Sequence, residues 1–226
     1  MRRHRTKFKR VFVWEVPVRV QHWLHVASIV VLTLTGIYIG SPFIGQAIGT
    51  EITDRMRFAH FVAAWVFGLG FLVRFYWFFV GNRYARWRMW LPAGRRRLGD
   101  LWEMLKYYLF LRRDRPAYLG VNPISGLTYL ALGVLIVLQG ITGIALYAEP
   151  FPIGFWKVTF GWIVTLFGSQ TLRLVHHALM YLFGAFLVLH LYMAALADVE
   201  EGNAPITSII SGWKFERKGE KVLGED

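Results

Sequence analysis

The sequence predicts an all-α membrane protein, a four-transmembrane-helix bundle with both termini cytoplasmic, built as one domain over residues 1–226. Three observations carry that prediction. Four apolar runs, about 18–40, 56–80, 124–147 and 172–197, each reach the approximately 20 residues that cross a bilayer as a helix. The chain is 55% hydrophobic and only 18% charged, with mean hydropathy +0.40, a balance foreign to soluble domains. Its basic residues collect in alternate connections, the mark of a multi-pass topology.

The runs have recognisable ends. Ser41-Pro42 closes the first, and Thr53 or Asp54 is placed to cap the second. Asn122-Pro123 opens the third, where proline suits a first turn, and Glu149-Pro150 closes it. Only helices are expected, because lipid offers no partner to a backbone N–H or C=O. The first run is too long for a signal-peptide core and has no A-x-A site, so it reads as an uncleaved span. The stretch LGDLWEMLKYYLFL, 98–111, is amphipathic and flanked by arginines, which predicts a helix on the cytoplasmic surface. FPIGFWKVTFGWIVTLFG, 151–168, is apolar but broken by glycine and Lys157, and predicts an interfacial or partner-contacting helix. There are no internal repeats or low-complexity tracts.

Lysine and arginine set the orientation. The arm through Arg19 holds seven, the connection Arg83 to Arg115 ten and the tail Lys214 to Lys221 four, against only Arg55, Arg57, Lys157 and Arg173 on the other side. That asymmetry puts the basic side of the protein, and both termini, in the cytoplasm. The net charge of +12 therefore points to anionic lipid, and not to nucleic acid. The absence of cysteine excludes disulfides, thiolate metal sites, iron–sulfur ligation and covalent c-type haem attachment.

Six of the seven histidines, His22, His25, His60, His176, His177 and His190, fall within or beside spans; only His4 lies in the basic arm. Intramembrane imidazoles are costly and mark functional sites. His176 and His190 are fourteen residues apart, which is about 40° short of four turns and about 21 Å along one helix face. By the same rise His22 lies about 27 Å and His190 about 28 Å from the outer surface, and His60 about 10 Å and His176 about 7 Å. Two depth-matched pairs result. His25 competes with His22, since depth alone does not separate them. His177 points about 100° away from His176 and reads as a structural histidine.

Paired imidazoles on both faces of an iron leave no open position, so such a metal passes one electron and does not bind oxygen. Four helices around two flat macrocycles suit this chemistry, predicting two bis-histidine b haems. Gly36, Gly68, Gly70, Gly143 and Gly184 admit the close approach of a flat ring, or of a neighbouring helix. Zinc fits poorly: two ligands per level with no carboxylate or thiol fall short of a closed site. Arg74, fourteen residues after His60, shares that face and can either meet an inner haem propionate or snorkel to the interface. Arg19, one turn before His22, is a second such cation.

Together FVWEVPVRVQHWL at 12–24, MRFAHF at 56–61 and YWFFVGNRYARW at 76–87 resemble the b-type cytochrome subunit of membrane-bound nickel–iron hydrogenases. The likeness continues through GVNPISG at 120–126, GITGIALYAE at 140–149 and HHALMYLFGAFLVLHLYMA at 176–194, nearly the whole chain. Di-haem subunits of formate dehydrogenases are broader relatives. The resemblance implies His22, not His25, as the first-helix ligand, with His60, His176 and His190 completing the set. It implies an outer haem between His60 and His176 and an inner haem between His22 and His190. Asn122 stands where related formate dehydrogenases have a quinone-site asparagine, although the loop differs.

The implied function is to carry electrons from a periplasmic hydrogenase, through its small iron–sulfur subunit, to a quinone near the cytoplasmic surface. The large nickel–iron subunit would activate hydrogen, so the chain is an electron-transfer subunit and not itself the catalyst. The equivalent subunit of a formate dehydrogenase or thiosulfate reductase, and a haem-free membrane anchor, are the rival readings.

Overall fold

A computed structural model describes residues 8–41, 50–116, 118–202 and 204–217. His4, Pro42 and the tail beyond Arg217 lie outside the described residues. The elements run β1 (Phe8–Phe12), α1 (Val16–Gly40), α2 (Thr50–Val80), α3 (Trp87–Trp90), α4 (Arg95–Tyr108) and α5 (Pro123–Ala148). They continue with α6 (Phe155–Phe167), α7 (Ser169–Glu201), α8 (Pro205–Ser211) and β2 (Trp213–Arg217).

Helices α1, α2, α5 and α7 are long and apolar enough to cross a membrane. They carry outward residues such as Leu34, Phe58, Leu69 and Leu174, well exposed here, as lipid-facing side chains are. Each span runs beyond its apolar core. The largest difference is in α2, which begins at Thr50, so Thr53 and Asp54 lie inside its first turns and do not cap it. Glu51 sits in that first turn, where the helix dipole favours an anion, and pairs with Arg55 at 2.7 Å one turn on. At α5 the expected start holds: Pro123 opens the helix and the Asn122 side-chain oxygen accepts the Ser125 N–H at 2.8 Å. Helix α6 has 13 residues, about 20 Å of rise, too short for a hydrocarbon core of about 30 Å.

The chain forms two compact units. Unit 1 comprises residues 1–23, 70–131 and 190–226. In it β1 and β2 pair antiparallel, Phe8 opposite Arg217 through Phe12 opposite Trp213. Arg10 lies 4.2 Å from the Trp213 ring centre, and Val13 packs fully buried with Tyr84 and Leu119. The FVGNRY stretch makes a turn fastened to the entry of α1. Glu15 accepts from the Trp77 indole at 2.9 Å and the Asn82 N–H at 2.7 Å, while the Asn82 amide donates to the Val13 carbonyl at 2.9 Å. The Asn82 oxygen in turn accepts from the N–H groups of Tyr84 and Ala85, both at 3.0 Å. The predicted amphipathic helix is α4, whose Met104 and Asp100 are buried while Leu98 and Trp102 stay exposed. Its Tyr107 phenol donates to Glu200 at 2.7 Å. Burial, and then that carboxylate, push the phenol up to about 12, so the donor persists at physiological pH.

Unit 2 comprises residues 24–69 and 132–189. Helix α6 packs there through Ile163 against Ala145 of α5 and Leu172 of α7. Trp156 meets Trp65 and Tyr147 edge-on, with centroids 5.8 and 6.0 Å apart.

Candidate functional site

Each unit brings together a histidine pair from two different helices, and in unit 2 the chain neighbours His176 and His177 also have ring centroids 6.4 Å apart. In unit 2, His60 of α2 and His176 of α7 have ring centroids 6.4 Å apart with planes at 61°. In unit 1, His22 of α1 and His190 of α7 have the same 6.4 Å separation at 55°. Helix rise and angular step bring each pair to one level, with each partner on a different helix.

The unit 2 pair has hydroxyl partners that the sequence reading missed. Thr35 Oγ1 lies 2.8 Å from His60 Nδ1, and Thr142 Oγ1 lies 2.9 Å from His176 Nδ1. Each threonine is followed by a glycine the pair needs. A Cβ on Gly36 would stand 3.5 Å from His60 Cε1 and 3.2 Å from Met180 Sδ, and one on Gly143 would stand 3.0 Å from His176 Cε1. The signal available was the tripeptide Thr-Gly-Ile, present at 35–37 on α1 and again at 142–144 on α5.

His25 and His177 are engaged elsewhere. His25 donates from Nε2 to the Phe67 carbonyl at 3.0 Å and stacks on the Phe67 ring, centroids 4.1 Å apart. His177 donates from Nδ1 to the Arg173 carbonyl at 2.8 Å, and Gly40 leaves room for its ring, since a Cβ there would meet Nε2 at 2.5 Å. Glycines 68 and 184 face open space.

Arg74 lies in unit 1 with His22 and His190. Its Nη2 donates to the Ala85 carbonyl at 3.2 Å and its guanidinium carbon lies 4.4 Å from the Trp90 ring centre. Its Nη1 is buried with no partner among the described residues. Arg19 donates to the Ile210 carbonyl. The side-chain oxygen of Asn122 serves the first turn of α5, as above.

Spanning helices that present imidazoles in pairs define an integral membrane protein of the cytochrome b class. The chain belongs to the prokaryotic cytochrome b561 family, whose profile matches residues 13–212. It is 39% identical over 212 residues to the probable Ni/Fe-hydrogenase B-type cytochrome subunit of Azotobacter chroococcum mcd 1, covering 91% of this chain and 88% of that one. The equivalent protein of Cupriavidus necator is 35% identical over 213 residues, covering 91% and 87% of the two chains. The probable Ni/Fe-hydrogenase 1 B-type cytochrome subunit of Escherichia coli K12 is 34% identical over 217 residues, 92% of each.

A b-type cytochrome implies haem b, and both pairs fit it. Two imidazoles trans on one metal stand about 6.2 Å apart, from bonds of about 2.0 Å and about 1.1 Å from nitrogen to ring centre; a tetrahedral metal draws them to about 5.1 Å. The 6.4 Å in both inter-helix pairs leaves room for the linear arrangement, although the adjacent rings of His176 and His177 stand at the same distance. Among the described residues no group of three or more His, Asp or Glu side chains forms a metal site.

Proposed function

We propose that this chain is the di-haem cytochrome b subunit of a membrane-bound nickel–iron hydrogenase, carrying electrons from the periplasmic iron–sulfur subunit to the quinone pool. The observation that carries the reading is the pairing of histidines from two different helices, once in each unit, at 6.4 Å, in a family of b-type cytochromes. The names of the similar proteins support the hydrogenase partner. The lysine and arginine asymmetry supports cytoplasmic termini in the bacterial inner membrane. That orientation puts His60 and His176 on the periplasmic side and His22 and His190 on the cytoplasmic side.

Haem b held by two imidazoles would supply a one-electron couple. The protein residues bind and orient it. His60 and His176 would hold the outer group, and His22 and His190 the inner one. Arg74, with a buried Nη1 to spare, offers a charge-assisted donor to an inner propionate. Asn122, at the start of α5, belongs to the quinone-facing end. Protons for quinone reduction there come from inside, so inward electron flow builds a membrane potential.

The direct test is a reduced-minus-oxidised spectrum of the purified full chain with quantitation of extracted haem. Two haem b per chain and a reduced α-band are expected. A haem-free preparation that folds and assembles normally would sink the reading in favour of a plain membrane anchor.

A further inference from the structure

We infer that Thr35 and Thr142 are positioning residues for the outer haem, each fixing one ligand in the tautomer that presents Nε2 to iron. The inference rests on the reading of His60 and His176 as axial ligands and adds to it the residues that set their protonation and electronic character. A threonine hydroxyl has one proton to give. Thr35 lies 2.6 Å from the Val31 carbonyl and Thr142 2.9 Å from the Leu138 carbonyl, one turn back on their own helices. With its proton on that carbonyl, the hydroxyl oxygen must accept from the imidazole. Both rings are therefore Nδ1–H, with the lone pair on Nε2.

A second contact points the same way. The Gln139 amide nitrogen, which can only donate, lies 3.2 Å from His176 Nε2, so Nε2 carries the lone pair there, and that amide must turn aside for the same lone pair to reach iron. The paired glycines complete the device: Gly36 and Gly143 let each imidazole edge lie against helix backbone beside its threonine. An Nδ1–H held by an oxygen also makes the imidazole a stronger donor to the metal and favours the oxidised state of the iron.

The test uses the full chain in mild detergent with Thr35→Val, Thr142→Val and the serine variants at both positions. Valine keeps the shape but strands the Nδ1–H in a low-dielectric span or releases the tautomer. One haem should then bind about 10- to 100-fold more weakly, and its midpoint potential should rise, while the second haem is unaffected. Serine restores the hydroxyl and should restore both properties. If a valine variant fails to accumulate, alanine at the same position, which removes the hydroxyl without adding a methyl in its place, carries the same measurement. Unchanged affinity and potential in the hydroxyl-free variants, or failure of serine to rescue, overturns the inference. His60→Ala is run beside them: retention of both haems there defeats the ligand reading itself, whereas loss of one haem with silent threonine variants defeats only the positioning role.

Discussion

Replacing His190 with alanine is expected to leave one haem per chain and to abolish quinone reduction. The imidazole of His190 has its ring centre 6.4 Å from that of His22, and alanine removes one of the two imidazoles proposed to hold the inner haem. The pair His60 and His176 lies in the other compact unit, among residues 24–69 and 132–189, so its ligands and threonine partners are untouched. Haem extraction should fall from two to one, with the surviving spectrum that of the outer group. His22→Ala should give the same result, and the double variant should be no worse than either single one, because two residues acting as a unit are not additive. His25→Ala is the discriminating control. Its Nε2 is already given to the Phe67 carbonyl, so both haems should remain. Two haems in His190→Ala, or loss of one in His25→Ala but not in His22→Ala, would refute the assignment.

The parts of this architecture legible in the sequence are those fixed by local, rigid geometry. A span is continuous in the chain, so hydropathy finds it, and a helix rise of about 1.5 Å per residue turns residue numbers into depths. That is why the sequence alone sets His22 and His190, 168 residues apart, at one level. Depth alone left His25 open, because choosing between neighbouring turns needs the facing helix, and here that helix supplies Phe67.

The sheet was missed for a different reason. FKRVF and WKFER are five-residue strands at opposite ends of the chain, and their lysines and arginines read as part of a solvated basic flank. Only pairing reveals that Arg10 covers Trp213 and that Lys9 reaches Glu216 at 3.6 Å. Thr35 and Thr142 escaped because a hydroxyl in a span can satisfy itself on the carbonyl one turn back, so residue type gives no warning. FVGNRY was recognised as a family signature, but its physical content is the Asn82 turn locked to Glu15 and Val13. That content depends on a segment 67 residues earlier in the chain.

Gly126→Ala should be among the most damaging single-methyl changes in the protein, although alanine is ordinarily the better helix former. A Cβ at position 126 would lie 2.4 Å from the Trp90 carbonyl oxygen and 2.9 Å from its Cα. These are backbone atoms, which cannot rotate away as the end of a side chain would. Either α5 or the short helix α3 must shift, and such overpacking costs about 1–3 kcal/mol or more. The shift also reaches the site. Trp90 carries the Arg74 guanidinium on its ring, 4.4 Å from the centre, and stands 5.4 Å from Tyr129, so moving its backbone withdraws the platform on which Arg74 rests. The matched control is Gly140→Ala in the same helix, where an added methyl meets nothing within 4 Å and gains about 1 kcal/mol of helix propensity. Thermal unfolding in detergent should therefore move in opposite directions, down for Gly126→Ala and level or up for Gly140→Ala. The inner haem should show the altered potential only in the first variant. Equal midpoints for the two variants would mean that the Trp90 backbone does not press on α5 as described.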